Sequence, residues 1–178
     1  MIKPILQLGN PILRRKAAPI ADVSDTRLPK LLEDMLDTLK ESGGVGIAAP
    51  QIGESVRLVI IASQSNDRYP DAPPMTPKPL ANPIIEWAGP ETEKDWEGCL
   101  SIPGLRGIVP RKVLIRVRYL TLPHGEEVVE EFEGFIARIV QHEVDHLDGK
   151  LFIDRVRSTR ELATEQEYTR IVTEEEQA

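Results

Sequence analysis

GFIARIVQHEVDHLDG, residues 134–149, marks the point where the hydrophobic period of the chain becomes that of a helix. Gly149 closes the stretch and is a natural C-cap for such a helix. A helix this rich in apolar residues is expected to be buried, and buried histidines and carboxylates need hydrogen-bonding or metal partners. The apolar residues of the stretch are Phe135, Ile139, Val140, Val144 and Leu147.

The remaining segments have simpler patterns. Leucines at helical spacing, followed by SGG at 42–44, predict a helix that ends at the glycines. Short β-branched runs predict strands, alternation around PHGE predicts a hairpin, and a run rich in Pro, Asp and Ser is typical of a loop. The predicted elements are a helix over 25–40, strands over 56–63 and 80–88, a loop over 65–80 and a hairpin over 112–134.

Composition limits the class of protein. With 178 residues, 40% apolar residues and no dividing change of composition, we expect one domain over 1–178, in which 155–178 form a charged C-terminal tail. No apolar run approaches the roughly 20 residues that span a bilayer, and the first residues lack the order of a signal peptide. A single cysteine fits a reducing compartment, so we expect a bacterial cytoplasmic protein. The net charge of −7 argues against sequence-specific nucleic-acid binding.

The histidines of the helix form a recognisable motif. His142 and His146 are four residues apart, so their imidazoles share one helix face and can approach one ion. Glu143 lies about 100° around the helix from His142, where its carboxylate can reach a metal-bound water without being a ligand. This is the H-E-x-x-H arrangement of zinc hydrolases. The alternative, a chance match on a solvated helix face, is disfavoured by the apolar character of the helix.

The third metal ligand is open at this level of reasoning. An extended H-E-x-x-H-x-x-G-x-x-H motif is half present, because Gly149 is in place but Phe152 occupies the position of the third histidine. A downstream glutamate, Glu165 or Glu167, would suit a thermolysin-like metallopeptidase. Cys99, in WEGCLSIPG, would supply a soft thiolate ligand, although a lone cysteine is more often a small buried hydrophobe.

Three segments resemble one family of enzymes. GVGIAAPQIG (44–53), EGCLS (97–101) and QHEVDHLDG (141–149) match, in order and spacing, the signature motifs of peptide deformylases. The resemblance implies an enzyme that removes the N-formyl group from the N-terminal methionine of newly synthesised polypeptides and releases formate. It also implies a single-domain α+β fold with antiparallel β-sheets packed around a central helix that carries the H-E-x-x-H motif.

The resemblance also implies roles for individual residues. Cys99, His142 and His146 are the expected metal ligands, and the ion lowers the pKa of a bound water so that hydroxide attacks the formyl carbon. Glu143 is the expected general base and acid, which takes the proton of the water and passes it to the leaving amine. The side-chain amide of Gln51 and the backbone N–H of Leu100 are the expected donors to the oxyanion.

A pocket for the methionine side chain follows from the same resemblance. Its expected lining is Val45, Gly46, Phe135 and Ile139, with Glu97 and Arg106 nearby. Gly44 and Gly46 would allow an extended peptide to approach the backbone closely. The alternatives are that the apolar side chains are ordinary core and that Glu97 and Arg106 form an ordinary ion pair. Asp145 either orients a ligand or pairs with an arginine such as Arg111.

Cofactor and partners are expected as follows. One divalent ion is implied, with Fe(II) as the native metal and Zn, Ni or Co as other ions that a Cys/His/His set accepts. The partners are N-formylmethionyl nascent peptides, with at most transient ribosome association, because the acidic C-terminus, TEEEQA, is repelled by ribosomal RNA. No membrane partner is expected. Two other functions are open: a generic H-E-x-x-H metallopeptidase with a downstream Glu ligand, and a binding module without turnover.

Overall fold

The computed structural model describes residues 1–66 and 69–176 of the chain. Within them, helices and strands alternate irregularly along the sequence, as in an α+β protein. In chain order they are α1 (Leu28–Ser42), β1 (Gly46–Ala48), β2 (Leu58–Ile61), β3 (Lys78–Ala88), β4 (Thr92–Cys99), β5 (Ile102–Lys112), β6 (Leu114–Leu120), β7 (Glu127–Glu133), α2 (Gly134–Leu147), β8 (Leu162–Thr164) and α3 (Glu165–Glu176).

The strands form two antiparallel sheets. Five strands pair in the order β1-β2-β3-β6-β7, and three pair in the order β4-β5-β8. Helix α2 contacts β1, β2, β6 and β7 of the larger sheet and β5 of the smaller one. The expected single-domain α+β fold, with antiparallel sheets around this helix, is therefore confirmed.

Helix α2 is buried because its apolar residues face both sheets. Ile139, Val140 and Leu147 belong to a core cluster with Val117 of β6 and Phe132 of β7. The end of the helix is fixed by a close approach of two chain segments. Gly149 has φ +71°, and a Cβ built there would lie 2.6 Å from the carbonyl oxygen of Arg14, so only glycine fits this turn without strain.

Most predicted elements are present, with shifted bounds. Helix α1 begins three residues later than predicted, at Leu28, and Gly43 ends it in a left-handed conformation with φ +62°. Strand β2 covers the middle of the strand predicted for 56–63, β3 contains the strand predicted for 80–88, and β6 and β7 form the predicted hairpin. The last residues of the loop predicted over 65–80 belong to β3, which begins at Lys78. Residues 67–68 lie outside the described part of the chain.

The hairpin of β4 and β5 had no counterpart in the sequence patterns. Residues 92–95 of β4 are exposed, so no hydrophobic alternation marks the start of the strand. The far end of the same strand is buried and carries Glu97 and Cys99. The predicted tail over 155–178 includes β8, which pairs with β5, and α3; residues 177–178 lie outside the described part.

Candidate metal centre

Two elements bring the three expected ligands together. Cys99 ends β4, at a shift in the register between β4 and β5, and His142 and His146 lie one turn apart on α2. Candidate ligand atoms of the three side chains all lie within 4.8 Å of one another. The Cys99 Sγ atom is 3.3 Å from Nε2 of His146. Among the residues that the structure describes, this is the one cluster of His, Cys, Asp and Glu suited to a metal ion.

The surroundings of Cys99 favour its thiolate. The backbone N–H of Ser101 points at Sγ over 3.4 Å, and the Gln51 amide nitrogen lies 3.7 Å away. Burial raises the pKa of the thiol, but the adjacent imidazoles of His146 and His142 outweigh burial and hold that pKa well below its usual value. A thiolate is the form of cysteine that binds metal ions.

Glu97 orients the first histidine. Its Oε2 is 2.9 Å from Nδ1 of His142, which leaves Nε2 of that ring for an ion. The other carboxylate contacts come from Arg111 Nε at 2.8 Å and Arg138 Nη1 at 3.0 Å. Burial raises the pKa of Glu97, but the His142 hydrogen bond and the Arg111 charge hold it well below its ordinary range. The alternative of a Glu97–Arg106 ion pair is therefore wrong, because other cations surround this carboxylate.

Asp145 belongs to the same buried network. Its carboxylate lies 2.6 Å from Nη1 of Arg111 and also pairs with Arg155. Of the two roles left open for Asp145, the pairing with Arg111 is confirmed. Arg111 therefore joins Glu97, which contacts His142, to Asp145, which precedes His146. Glu97, Arg111 and Asp145 thus fix the two histidine-bearing turns of α2 against β4 and β5.

Glu143 faces the cluster from a buried position. Its Oε2 has no hydrogen-bond partner among the described residues. Burial raises the pKa of Glu143 to about 7, against the lowering effect of the imidazoles of His142 and His146. A Cβ added to Gly46 would lie 2.6 Å from Glu143 Oε1, so the glycine in β1 makes room for the carboxylate. The sequence predicts only a close approach of the peptide at Gly46 and gives no sign of this contact.

Gln51 has a fixed amide orientation. Its Oε1 accepts a hydrogen bond from the backbone N–H of Ala48 at 2.8 Å, and its Nε2 lies 3.2 Å from Oγ of Ser101. The amide NH₂ group is therefore directed toward Cys99 and the turn that carries Leu100. Both expected oxyanion donors, Gln51 and Leu100, line the same pocket as the ligands.

The pocket in front of the cluster contains most of the expected substrate residues. It has about 480 Å³ of empty space, part of it open to solvent, and is lined by Val45, Gly46, Glu97, Phe135 and Ile139. It is also lined by Tyr69, Trp96 and Arg138, none of which was predicted from the sequence. Trp96 directly precedes the EGCLS motif, which could have indicated it, whereas nothing in the sequence around Tyr69 indicates a pocket residue.

Arg106 does not line this pocket. It is fully buried and forms an ion pair with Glu165 of α3, with 2.7 Å between Nη2 and Oε1. Glu167 pairs with Arg170 on the surface of the same helix. The two glutamates considered as downstream metal ligands thus contact arginines, and neither belongs to the metal-capable cluster. Phe152, at the position of a third histidine in the extended motif, is buried with its ring 6.4 Å from that of His142.

The donor set fits a divalent metal ion. One thiolate and two imidazoles suit Zn, Fe(II), Co or Ni, and three protein ligands leave a coordination position open for water or substrate. The ring of His142 is held by Glu97 in the manner typical of metal-bound histidines. An antiparallel α+β fold with such a cluster, and with a buried carboxylate beside it, is the arrangement expected of a metal-dependent hydrolase.

Residues 2–161 match the family model described as polypeptide deformylase, and the chain belongs to that family. It is 49% identical to peptide deformylase 2 of a Nostoc species over 170 residues, 96% of this chain and 94% of the relative. It is 50% identical to peptide deformylase 1 of Bordetella pertussis over 157 residues, 88% of this chain and 89% of the relative. Membership of this family supports an enzymatic function, the removal of the N-formyl group from new polypeptides.

Solved structures lead to the same family. The chain is similar to the Met-Ala-Ser-bound class I type b peptide deformylase of Acinetobacter baumannii, with a TM-score of 0.85 and 46% identity over 88% of this chain and 99% of that one. It is also similar to the peptide deformylase of Thermotoga maritima, with a TM-score of 0.78 and 39% identity over 89% of this chain and 99% of that one. Within the described residues, no helix has the length and apolar character needed to cross a membrane.

Proposed function

We propose that this chain deformylates the N-terminal methionine of nascent polypeptides with one divalent metal ion held by Cys99, His142 and His146. The observation that supports this most strongly is the convergence of the three ligand side chains within 4.8 Å of one another, with Glu143 facing the same pocket. When bound, the ion supplies Lewis acidity and a water of lowered pKa.

Glu143 moves the proton in this proposal. Its buried carboxylate, with a pKa raised to about 7, can accept a proton from the attacking water and deliver it to the nitrogen of the leaving amine. The Gln51 side-chain NH₂ and the backbone N–H of Leu100 donate hydrogen bonds to the oxygen of the formyl group as it becomes an oxyanion. Each such donor is typically worth about 3 kcal/mol of barrier.

The pocket supplies specificity for the peptide. Val45, Phe135 and Ile139 form the apolar wall for the methionine side chain. Gly46 lies in β1, an edge strand of the larger sheet, where an extended peptide can pair with backbone groups. Glu97 acts by orienting His142. Arg106 takes part indirectly, because its guanidinium lies 5.2 Å from the ring of Tyr69, which lines the pocket.

Fe(II) is the native metal in this proposal, and Zn, Ni and Co are ions that the same ligands accept. The reaction takes place in a bacterial cytoplasm on formylated nascent chains. Any ribosome contact is transient, because residues 165–174 include three glutamates and one arginine and would be repelled by RNA phosphates. No membrane and no specific nucleic-acid sequence is involved.

The decisive experiment measures formate released from formyl-Met-Ala-Ser by enzyme reconstituted anaerobically with Fe(II), Ni or Zn. A chelator is expected to abolish turnover, and the metals are expected to restore it. Acetyl-Met-Ala-Ser and formyl-Ala-Ala-Ser serve as matched substrates for the formyl group and the methionine pocket, respectively. Equal rates on all three peptides, or activity that survives the chelator, would contradict the proposal. Mass spectrometry of the products separates it from the metallopeptidase alternative, which cleaves internal peptide bonds.

A further inference from the structure

The C-terminal segment of the chain packs beside the pocket although it lies beyond the residues that the family model matches. The family match ends at residue 161, and β8 and α3 follow it. Strand β8 pairs with β5, where Ala163 is opposite Arg106, and α3 packs on both strands. This segment is thus placed against β5, the neighbour of β4, and β4 carries Trp96, Glu97, Gly98 and Cys99 of the pocket lining.

Arg106 is the centre of this contact. Its guanidinium is fully buried, and its Nε lies 3.1 and 3.0 Å from the two carboxylate oxygens of Glu165. Its Cζ atom is 4.7 Å from the ring centroid of Tyr168 and 5.2 Å from that of Tyr69. Cations at such distances from aromatic rings are held by the ring quadrupole, more strongly when they are removed from water. Arg106, which lies in β5 of the smaller sheet, therefore links Tyr168 of α3 to Tyr69.

The two tyrosine rings beside Arg106 are both connected to the pocket. Tyr168 contacts Trp96 edge-on at a centroid distance of 5.4 Å, and Tyr69 contacts Phe135 at 5.3 Å. Tyr69, Trp96 and Phe135 all line the pocket that holds the metal ligands. These three residues are partly exposed, whereas Glu97, Cys99 and Glu143 of the same pocket are buried. The aromatic residues thus form the outer wall of the pocket, away from the reacting atoms.

We infer that Tyr168 is a positioning residue, which acts with Arg106 to fix this outer wall for the peptide residues that follow the N-terminal methionine. The inference rests on the proposed function, because a deformylase substrate places its formyl group at the metal and extends its later residues toward solvent. Tyr168 touches Trp96 and Arg106 and not the reacting atoms. Its loss should therefore weaken peptide binding and leave the chemical step unchanged.

The test compares Tyr168→Ala with Tyr168→Phe, which keeps the ring, and with Arg170→Ala, which removes an exposed side chain of the same helix. With formyl-Met-Ala-Ser, we expect Tyr168→Ala to raise KM about three- to tenfold at unchanged kcat. The Phe and Arg170 variants should retain the wild-type KM. Calorimetric binding of Met-Ala-Ser, which needs no turnover, should weaken by the same factor in Tyr168→Ala alone.

Each outcome is decisive. Unchanged KM and peptide affinity in a folded Tyr168→Ala variant, a fall in kcat at constant KM, or an equal loss in Tyr168→Phe would overturn the inference. If Tyr168→Ala does not fold, Tyr168→Leu fills the volume without a ring, and its failure to fold as well would mean that Tyr168 serves stability and not positioning. If the wild type releases no formate but Tyr168→Ala still binds Met-Ala-Ser more weakly, the proposed function fails and the positioning role stands.

Discussion

The two sides of the pocket are held in place by different interactions. On the inner side, buried charges fix α2 to β4 and β5: Glu97 contacts His142 and Arg111, and Arg111 contacts Asp145. On the outer side, partly exposed aromatic rings surround a single arginine, Arg106. Buried ion pairs leave a costly uncompensated charge when one partner is removed, whereas aromatic contacts at a partly exposed site are worth less.

This difference corresponds to the tasks of the two sides. Reacting groups must be held within a fraction of an ångström, and hydrogen-bonded charges impose that precision on ligand rings. Peptide side chains beyond the first residue vary from substrate to substrate, and aromatic surfaces accept many of them. The comparison predicts large losses of turnover from the inner side and small losses of binding from the outer side.

The largest effect is expected from removal of the thiolate. Cys99→Ala should abolish tight metal binding and lower formate release at least about 10⁴-fold, because the Lewis acid and the water on which Glu143 acts are lost together. Metal content of the purified variant, measured by mass spectrometry of the bound ion, checks this directly. Retention of one tightly bound ion per chain would show that Cys99 is not a ligand.

The next effect is expected at Glu143. Glu143→Gln keeps the size of the side chain and removes its ability to accept a proton, so kcat should fall about 10²- to 10⁴-fold with metal content unchanged. Glu131→Gln on β7 is a matched control, because that carboxylate is exposed and pairs only with Arg116 among the described residues. A near-normal kcat in Glu143→Gln would remove the general base from the proposed mechanism.

A smaller effect on the metal is expected at Glu97. Glu97→Gln should weaken metal affinity about 10- to 100-fold, because the amide is a poorer acceptor for His142. It should also lower the free energy of unfolding by about 3–5 kcal/mol, since two buried arginines lose their carboxylate. Competition with a chelator and thermal melts measure the two quantities. Glu86→Gln, which removes a surface partner of Arg118, is the control and should change neither.

Sequence patterns predicted the inner side better than the outer one. The helical period of α2 and the spacing of its histidines are local signals, so the metal motif was visible without a structure. Residue reasoning alone left Cys99, Glu165 and Glu167 open as the third ligand, because which of them lies beside the histidines of α2 depends on tertiary contacts. The contact of Cys99 depends on a strand whose exposed first half has no hydrophobic alternation.

The partners of Glu97 and Arg106 were beyond sequence reasoning for a related reason. Arg111 reaches Glu97 across a hairpin that no pattern indicated, and Glu165 reaches Arg106 from α3, 59 residues further along the chain. Charged residues at these positions are equally compatible with a solvated surface. Their pairing follows from the register of β4 with β5 and of β5 with β8, which only the folded chain determines.

The smallest effect is expected at Tyr69, on the outer side. Tyr69→Leu keeps an apolar side chain of moderate size but removes the ring that faces Arg106 and Phe135. Tyr69 is partly exposed, and Arg106 keeps its contacts with Glu165 and Tyr168 in the variant. The loss should therefore be about 0.5–1 kcal/mol, so KM for formyl-Met-Ala-Ser should rise about two- to fivefold. The chemical step should be unaffected, because the expected metal ligands and Glu143 are held by contacts in which Tyr69 takes no part.

Tyr69→Phe is the matched control and should keep the wild-type KM, since it retains the ring. Steady-state kinetics of both variants with one metal, at one pH, give the comparison. A fall in kcat at constant KM would show that the outer wall acts on the chemistry, and the division between a charged inner side and an aromatic outer side would no longer hold.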